Sequence, residues 1–247
     1  MTIADRISGF MQARDHREDT QTWNLLNTSL GSWLRYRLFL GVIRDRYVKA
    51  SEVHTRDWQL LLESVEKRST AGESHSMTGD ERKEYDRITQ HSMRVHLEIE
   101  SFYVFANILL DRIASTFRFY LWRRPEWNHR QLSQNLEKIC TKKSLQVPSP
   151  DLLKMPHALE DLIVKYRNTK IEHVDEPRMI LGTTWSPTSR VRIVPIVLYP
   201  SPGEAEEVQH STADLDELLA SLDAYMTTML DFFDANAHKS ILPPQRT

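Results

Sequence analysis

Apolar residues return at helical spacing along most of the chain. Over residues 20–48, Leu26, Leu30, Trp33, Leu34, Leu40 and Tyr47, with Arg37 among them, recur at intervals near 3.6, which predicts a helix. Ser51 then reads as the cap of a second helix with Trp58, Leu61, Leu62 and Val65 on one face. Residues 69–80, STAGESHSMTGD, form a small-polar stretch expected to be a flexible loop, with Thr78 or Asp80 capping the next helix. The dominant element is predicted from about Glu81 to Trp122 and is stopped by Pro125. Ile88, Val95, Ile99, Phe102, Ala106, Leu109, Ile113, Phe117 and Tyr120 step by 3, 4 or 7 and so share one stripe. Between Phe102 and Leu110 the pattern is apolar nearly all round, the mark of a central bundle helix. Asn107 and Asp111 lie four apart within this collar and share a face, extended by Glu100 and Ser115. Polar groups among such neighbours need partners.

Further on, a short helix is predicted near Gln131–Ile139. Another runs from about Pro156 to Glu172, with Leu159, Leu162, Ile163 and Tyr166 inward and Pro156 in the first turn. MILGTTW (179–185) and VRIVPIVLY (191–199), joined by SPTSR, have the β-branched content and turn chemistry of a hairpin, with Pro195 marking an edge strand. After Pro200, Pro202 and Gly203 comes a last helix. Ser211 and Asp214 resemble its capping box, and Leu215, Leu218, Leu222, Tyr225, Met229 and Phe232 or Phe233 form its apolar face. The expected fold is all-α: an up-and-down helical bundle forming a single domain over 1–247, with a β-hairpin over 179–199 inserted before the C-terminal helix. Composition agrees, since 7 glycines in 247 residues is roughly 3% against a usual ~7%.

The single cysteine, Cys140, excludes an intrachain disulfide and a cysteine-based zinc tetrad. The longest apolar run, Phe102–Leu110, falls far short of the ~20 residues that span a bilayer, and MTIADRISGF lacks the apolar centre of a signal peptide. No membrane association and a cytoplasmic location are the expectations. Charge is unevenly spread. Nine acids lie between 203 and 238 with no Lys or Arg, a face that could serve a basic partner. Over 118–143, seven basic residues face only Glu126 and Glu137. Arg123, Arg124 and Arg130, interleaved with Trp122 and Trp127, make this segment a candidate RNA contact, the alternative being a solvated face.

Phosphate-binding glycine loops, GxSxG and HExxH are absent. His96 and Glu100 have the i, i+4 spacing that can grip a metal, and His91 and Glu98 lie nearby. The reading adopted is a surface pair with no metal and no cofactor.

The sharpest signal is Tyr166-Arg167-Asn168-Thr169-Lys170-Ile171-Glu172-His173. This RNxxxxH segment, at the end of an amphipathic helix behind a long core helix, resembles the signature of the HEPN superfamily (higher eukaryotes and prokaryotes nucleotide-binding domains). The resemblance covers roughly Asp80–His173. It implies a bundle of four or five helices, a composite site in a homodimer, and metal-independent cleavage of RNA by Arg167 and His173 with Asn168 beside them. It also implies a place in toxin and defence systems and an antitoxin or other regulatory protein as partner. Some toxin members carry a Tyr two residues after the His, where this chain has Asp175.

The residue types suit the chemistry independently. An imidazole exchanges protons near neutral pH, a guanidinium grips a phosphate by two hydrogen bonds, and an Asn orients either. At ~100° per residue, Arg167 and His173 point ~120° apart on a regular helix. Their convergence requires a loosened helix near Glu172 or a second copy across a two-fold axis. Asn107 and Asp111 are expected to support the pair, or else to serve as structural hydrogen bonds between helices. His173 could alternatively finish the apolar stripe. A non-catalytic HEPN-like module binding a nucleotide, RNA or a protein partner is the second reading.

If the 118–143 segment meets RNA, affinity falls with rising salt, and reversing Arg123 and Arg124 to Glu weakens binding to all RNA sequences alike. Filter binding at several salt concentrations checks this, and a salt-independent, unchanged affinity would assign the segment to solvent.

Overall fold

The computed structural model describes residues 2–14, 20–68, 78–121, 128–166, 179–186, 189–197 and 212–242. Its described residues are mainly helical: α1 (Ile3–Gln12), α2 (Thr20–Arg68), α3 (Gly79–Tyr120), α4 (His129–Lys143), α5 (Asp151–Leu159) and α6 (Thr212–Ala235). A π-helical turn (Glu160–Lys165) continues α5, and a 3₁₀ turn (Ala237–Lys239) comes after α6. The backbones of β1 (Met179–Ser186) and β2 (Ser189–Val197) pair antiparallel, Met179 opposite Val197 and Leu181 opposite Pro195, with an irregularity between Thr184 and Ser186. No described helix is long and apolar enough to cross a membrane.

Several boundaries differ from the sequence reading. Ser51 opens nothing: α2 runs unbroken through it and its hydroxyl makes no hydrogen bond. Residues 49–53 (KASEV) contain neither Pro nor Gly, so no local breaker stops the helix. The predicted loop over 69–80 lies outside the described residues up to 77, but Gly79 and Asp80 already belong to α3. Thr78 is the cap. Its Oγ1 accepts from the Glu81 N–H at 3.2 Å and its own N–H donates to Glu81 Oε2 at 2.7 Å, a reciprocal box. α4 begins two residues earlier than predicted because Asn128 and Gln131 form the same kind of box, and it ends at Ser144 in a left-handed conformation (φ 49°). α1 escaped the reading altogether, being too short for periodicity to register.

The helix expected to begin at Pro156 instead begins at Asp151, leaving Pro156 inside α5. Leu162, expected inward, is 57% exposed, whereas Leu159 and Ile163 are buried. The π-helical turn explains this. Its wider loop brings residues four to five apart into line rather than three to four, so Leu162 swings out while Ile163 stays in.

The chain divides into two compact units, and α2 and α3 contribute to both. The first comprises residues 1–41, 103–168 and 217–247. Its core is aromatic: Phe10, Trp33, Phe117, Tyr120, Phe232 and Phe233 pack in tilted and edge-on pairs with ring centroids 5.0–6.4 Å apart. Arg14, 2% exposed, is satisfied within it. Nε donates to Tyr120 Oη (2.8 Å), Nη1 to the Phe10 carbonyl (3.0 Å) and Nη2 to Asp234 (2.6 Å), with the guanidinium 3.8 Å above the Phe10 ring. Tyr120 Oη in turn donates to the Phe233 carbonyl, and its pKa is raised chiefly by burial. α2 and α3 run antiparallel here, locked by Ser29 Oγ at 2.7 Å from Thr116 Oγ1 and by Trp33 Nε1 donating to Thr116.

Four acids of the acidic stretch, Asp216, Asp223, Asp231 and Asp234, meet partners within the chain. In the first unit Asp231 pairs with Arg6, Asp234 with Arg14, and Asp223 accepts a two-pronged grip from Arg37 (2.6 and 2.8 Å).

The second unit comprises residues 42–102 and 169–216. Ile43, Tyr47, Leu61, Ile88, Val95, Ile99 and Phe102 are its buried apolar residues on α2 and α3. Arg44 grips Asp216 by two bonds of 2.8 Å. His54, fully buried, has Trp58 Nε1 donating to its Nε2 at 3.0 Å, which makes Nε2 the acceptor and puts the proton on Nδ1. Burial first, and then the nearby His91, push the His54 pKa down to about 4.

Because this imidazole takes up a proton far less readily folded than unfolded, its stabilising effect is complete above the ordinary histidine value of 6.5 and is lost as pH falls toward 4. The loss attributable to His54 is expected to reach up to about 3 kcal/mol. Urea unfolding at about pH 7.5 and about pH 4.5 reads it, and His54→Gln should flatten the difference; an equal pH dependence in the variant would disprove the assignment.

Candidate functional site

Within the first unit, α3 carries Tyr103, Asn107 and Asp111 at i, i+4 and i+8, a single face. Tyr103 and Asn107 are buried and Asp111 is half-buried. Tyr166, at the end of the π-helical turn, stacks on Tyr103 with ring centroids 3.8 Å apart and planes 23° from parallel. Residue 166 immediately precedes Arg167, so the chain leading into RNxxxxH is anchored on the face that carries both predicted supporting residues. Arg167, Asn168 and His173 themselves lie outside the described residues, as do Arg123 and Arg124. Arg130 is exposed in the first turn of α4, and Lys138, Lys142 and Lys143 are exposed on the same helix.

Asp111 does not stand idle. Its Oδ1 accepts the backbone N–H of His129 at 2.8 Å, joining Asn128 in satisfying the first turn of α4, where a negative charge is favoured by the helix dipole. His129, fully buried, places Nδ1 3.0 Å from Glu160 Oε2. An ionised carboxylate only accepts, so Nδ1 is the donor. Tyr225 presents edge-on to the imidazole, ring centroids 5.7 Å apart and 88° between planes. Its hydroxyl is buried without a hydrogen-bond partner, as is His129 Nε2. The Tyr225 pKa is pushed well up, first by burial and then by the charge of Glu160.

Of this group of Asp111, His129, Glu160 and Tyr225, the sequence reading singles out Asp111 alone. Tyr225 reads as one more apolar position on a stripe, and His129 carries no signal in the sequence. A histidine held at one nitrogen by a carboxylate is the arrangement that sets a base for proton transfer. Here, however, Nε2 is enclosed, and the arrangement acts on the backbone: Glu160 is the first residue of the π-helical turn, so its bond to His129 ties down the point where the helix widens. Such a widening rotates any helix continued past it by about one residue's turn, ~100°. Residues carried on that helix change their aim together, and the angle between them stays as it was.

Among the described residues no group of three or more His, Cys, Asp or Glu is placed to hold a metal ion. His91 and Glu98 are engaged elsewhere, with Asp57 and Arg46. His96 has its pKa lowered by burial and Glu100 has its raised by burial. Cys140 is buried and its thiol is pushed up to about 11, chiefly by burial, which disfavours the nucleophilic thiolate. Compared with models of known families, with curated proteins and with solved structures, the chain matches none.

Removing the carboxylate at 160 leaves a buried donor unpaired. Glu160→Ala is expected to cost about 1–3 kcal/mol, and Glu160→Gln, whose amide oxygen still accepts, less than half as much. Urea unfolding of both variants measures this; equal losses would mean that the His129 bond contributes nothing.

Proposed function

We propose that the chain is a HEPN-like, metal-independent endoribonuclease that works as a homodimer. The observation that carries the reading is the Tyr103–Tyr166 stack, which brings the lead-in to Arg167-Asn168-xxxx-His173 onto the α3 face of Asn107 and Asp111. In this reading the mainly helical chain is a HEPN-like bundle, and the paired strands at 179–197 are a hairpin appendage to it. His173 takes the proton of a ribose 2′-hydroxyl. The 2′-oxygen then attacks the adjacent phosphorus, the bond to the 5′-oxygen breaks, and that oxygen leaves with a proton supplied by an imidazole. Arg167 holds two phosphate oxygens through its planar fork, and Asn168 orients the reacting groups. Because RNA brings its own nucleophile, the products are a 2′,3′-cyclic phosphate and a 5′-hydroxyl.

Two copies resolve the angular problem, since Arg167 of one subunit and His173 of the other then meet in one cleft. Toxin or defence roles, with an antitoxin or regulatory protein as partner, come from the same resemblance. The second reading is a non-catalytic HEPN-like module that binds a nucleotide, RNA or a protein. It draws on the exposed cations Arg130, Lys138, Lys142 and Lys143, which give an RNA contact without chemistry.

Labelled single-stranded RNA incubated in EDTA separates these readings. Cleavage should persist, yield cyclic ends, and fall by ~10² or more in His173→Ala with folding retained, because a general acid–base group typically contributes ~10² to 10⁴. Arg167→Lys should be similarly damaging. Sedimentation should show a dimer at micromolar concentration. Cleavage abolished by EDTA overturns the mechanism, and absence of cleavage by the intact dimer across varied RNAs leaves the binding module.

A further inference from the structure

In the second unit, α2 and α3 together line a pocket of about 290 Å³, open on one side to solvent. Arg46, Lys49, Ala50 and Val53 come from α2, at i, i+3, i+4 and i+7 of one face, and His91 and Arg94 come from α3 at i and i+3. Four of the six lining residues are Arg, Lys or His and none is acidic. The volume lies at the small end of ligand sites, fitting a phosphoryl group and a small attachment and too confined for a folded polymer.

A ring of surface cations alone would be a weak argument. Here two of them are held from behind. Glu98, 2% exposed, lies with Oε1 2.7 Å from Arg46 Nη2, and Arg46 is its sole ion-pair partner among the described residues. Asp57, 1% exposed, lies with Oδ2 3.0 Å from His91 Nδ1, with Arg87 and Arg56 also nearby. Both carboxylate oxygens and His91 Nδ1 are buried and lack a hydrogen bond of good geometry. A buried carboxylate behind a cation fixes where that cation points. Arg46 keeps donor hydrogens for a ligand, and His91 has Nε2 as its remaining ring nitrogen. Lys49 and Arg94 form no ion pair within 4.0 Å among the described residues. Ala50 contributes the smallest side chain of the lining, and a leucine there would project into the pocket.

From these observations we infer that the pocket binds a small phosphate-bearing ligand, its phosphoryl group held by Arg46, Lys49 and Arg94 over Ala50, with His91 at the rim. Guanidinium forks match the oxygens of a phosphate, and Lys49 adds a point charge. The inference does not depend on whether the chain cleaves RNA.

Isothermal titration of the full chain with inorganic phosphate, pyrophosphate, adenosine 5′-monophosphate and adenosine tests this at constant ionic strength. Saturable binding of pyrophosphate and of the monophosphate is expected, with none for adenosine. Binding of pyrophosphate but not of the monophosphate identifies a free inorganic anion as the ligand, and binding of both identifies a phosphorylated metabolite. Lys49→Gln with Arg94→Gln should weaken binding ~10-fold or more, since each charge-assisted bond lost is a large effect. Ala50→Leu, which keeps every charge but fills the pocket, should do the same at an unchanged melting temperature. Arg130→Gln, outside the pocket, should bind as the parent does. No saturable binding by the parent, or full binding by Ala50→Leu, overturns the proposal, the latter because a diffuse positive field would not notice the added bulk. If Ala50→Leu fails to fold, Ala50→Ser with the double variant decides it: undiminished affinity in the double variant alone is sufficient to reject the site.

Discussion

A helix of 49 residues and another of 42 carry apolar stripes along nearly their whole length, and every part of each stripe has to be covered. In both units α2 and α3 run antiparallel against one another, which covers one side of each. The remaining flanks are covered differently. In the first unit α1 and α6 bring Phe10, Phe232 and Phe233 against the aromatic rings of α2 and α3. In the second, polar groups such as His54 and Asp57 occupy interior positions. Polar burial of this kind demands compensation, and both the His54–Trp58 bond and the arginines around Asp57 supply it.

Charge completes what packing begins. α6 is too acidic to sit against other helices without neutralisation. Arg6, Arg14 and Arg37 neutralise it within the first unit, and Arg44 meets Asp216 within the second. Arg14 shows the difference between a surface pair and a structural one. Exposed pairs contribute little, but a guanidinium enclosed by Phe10, Tyr120 and Asp234 cannot lose a partner without leaving a buried charge uncompensated.

The candidate site grows out of the same framework. Asp111 on the central helix caps α4, which sets His129, which holds Glu160 at the start of the widened turn. Tyr166 then stacks on Tyr103. The central helix thus supports the segment that leads to Arg167 at two points, through a chain of hydrogen bonds and through an aromatic stack. The pocket between α2 and α3 in the second unit obeys another logic, with buried carboxylates behind cations and a small residue in the lining.

Periodicity in the sequence was sufficient to locate α3, α4 and α6, the buried stripes of α3 and α6, and the polar pair Asn107 and Asp111 within the collar, because the i, i+4 pattern is a property of the local backbone. The RNxxxxH segment was legible for the same reason: it is a local string. Periodicity placed a break at Ser51 where the helix continues, since a serine can cap or can sit in a helix and only packing on both sides decides which. It placed Leu162 inside, because a regular helix was assumed where the chain widens by a residue. The partners of the acidic stretch were not legible, since Arg6 and Asp231 stand 225 positions apart and nothing local joins them. The group around His129 and the cationic pocket were invisible for that reason as well. Each is made of side chains whose meeting depends on how helices pack, and packing is decided by the whole core rather than by any one segment.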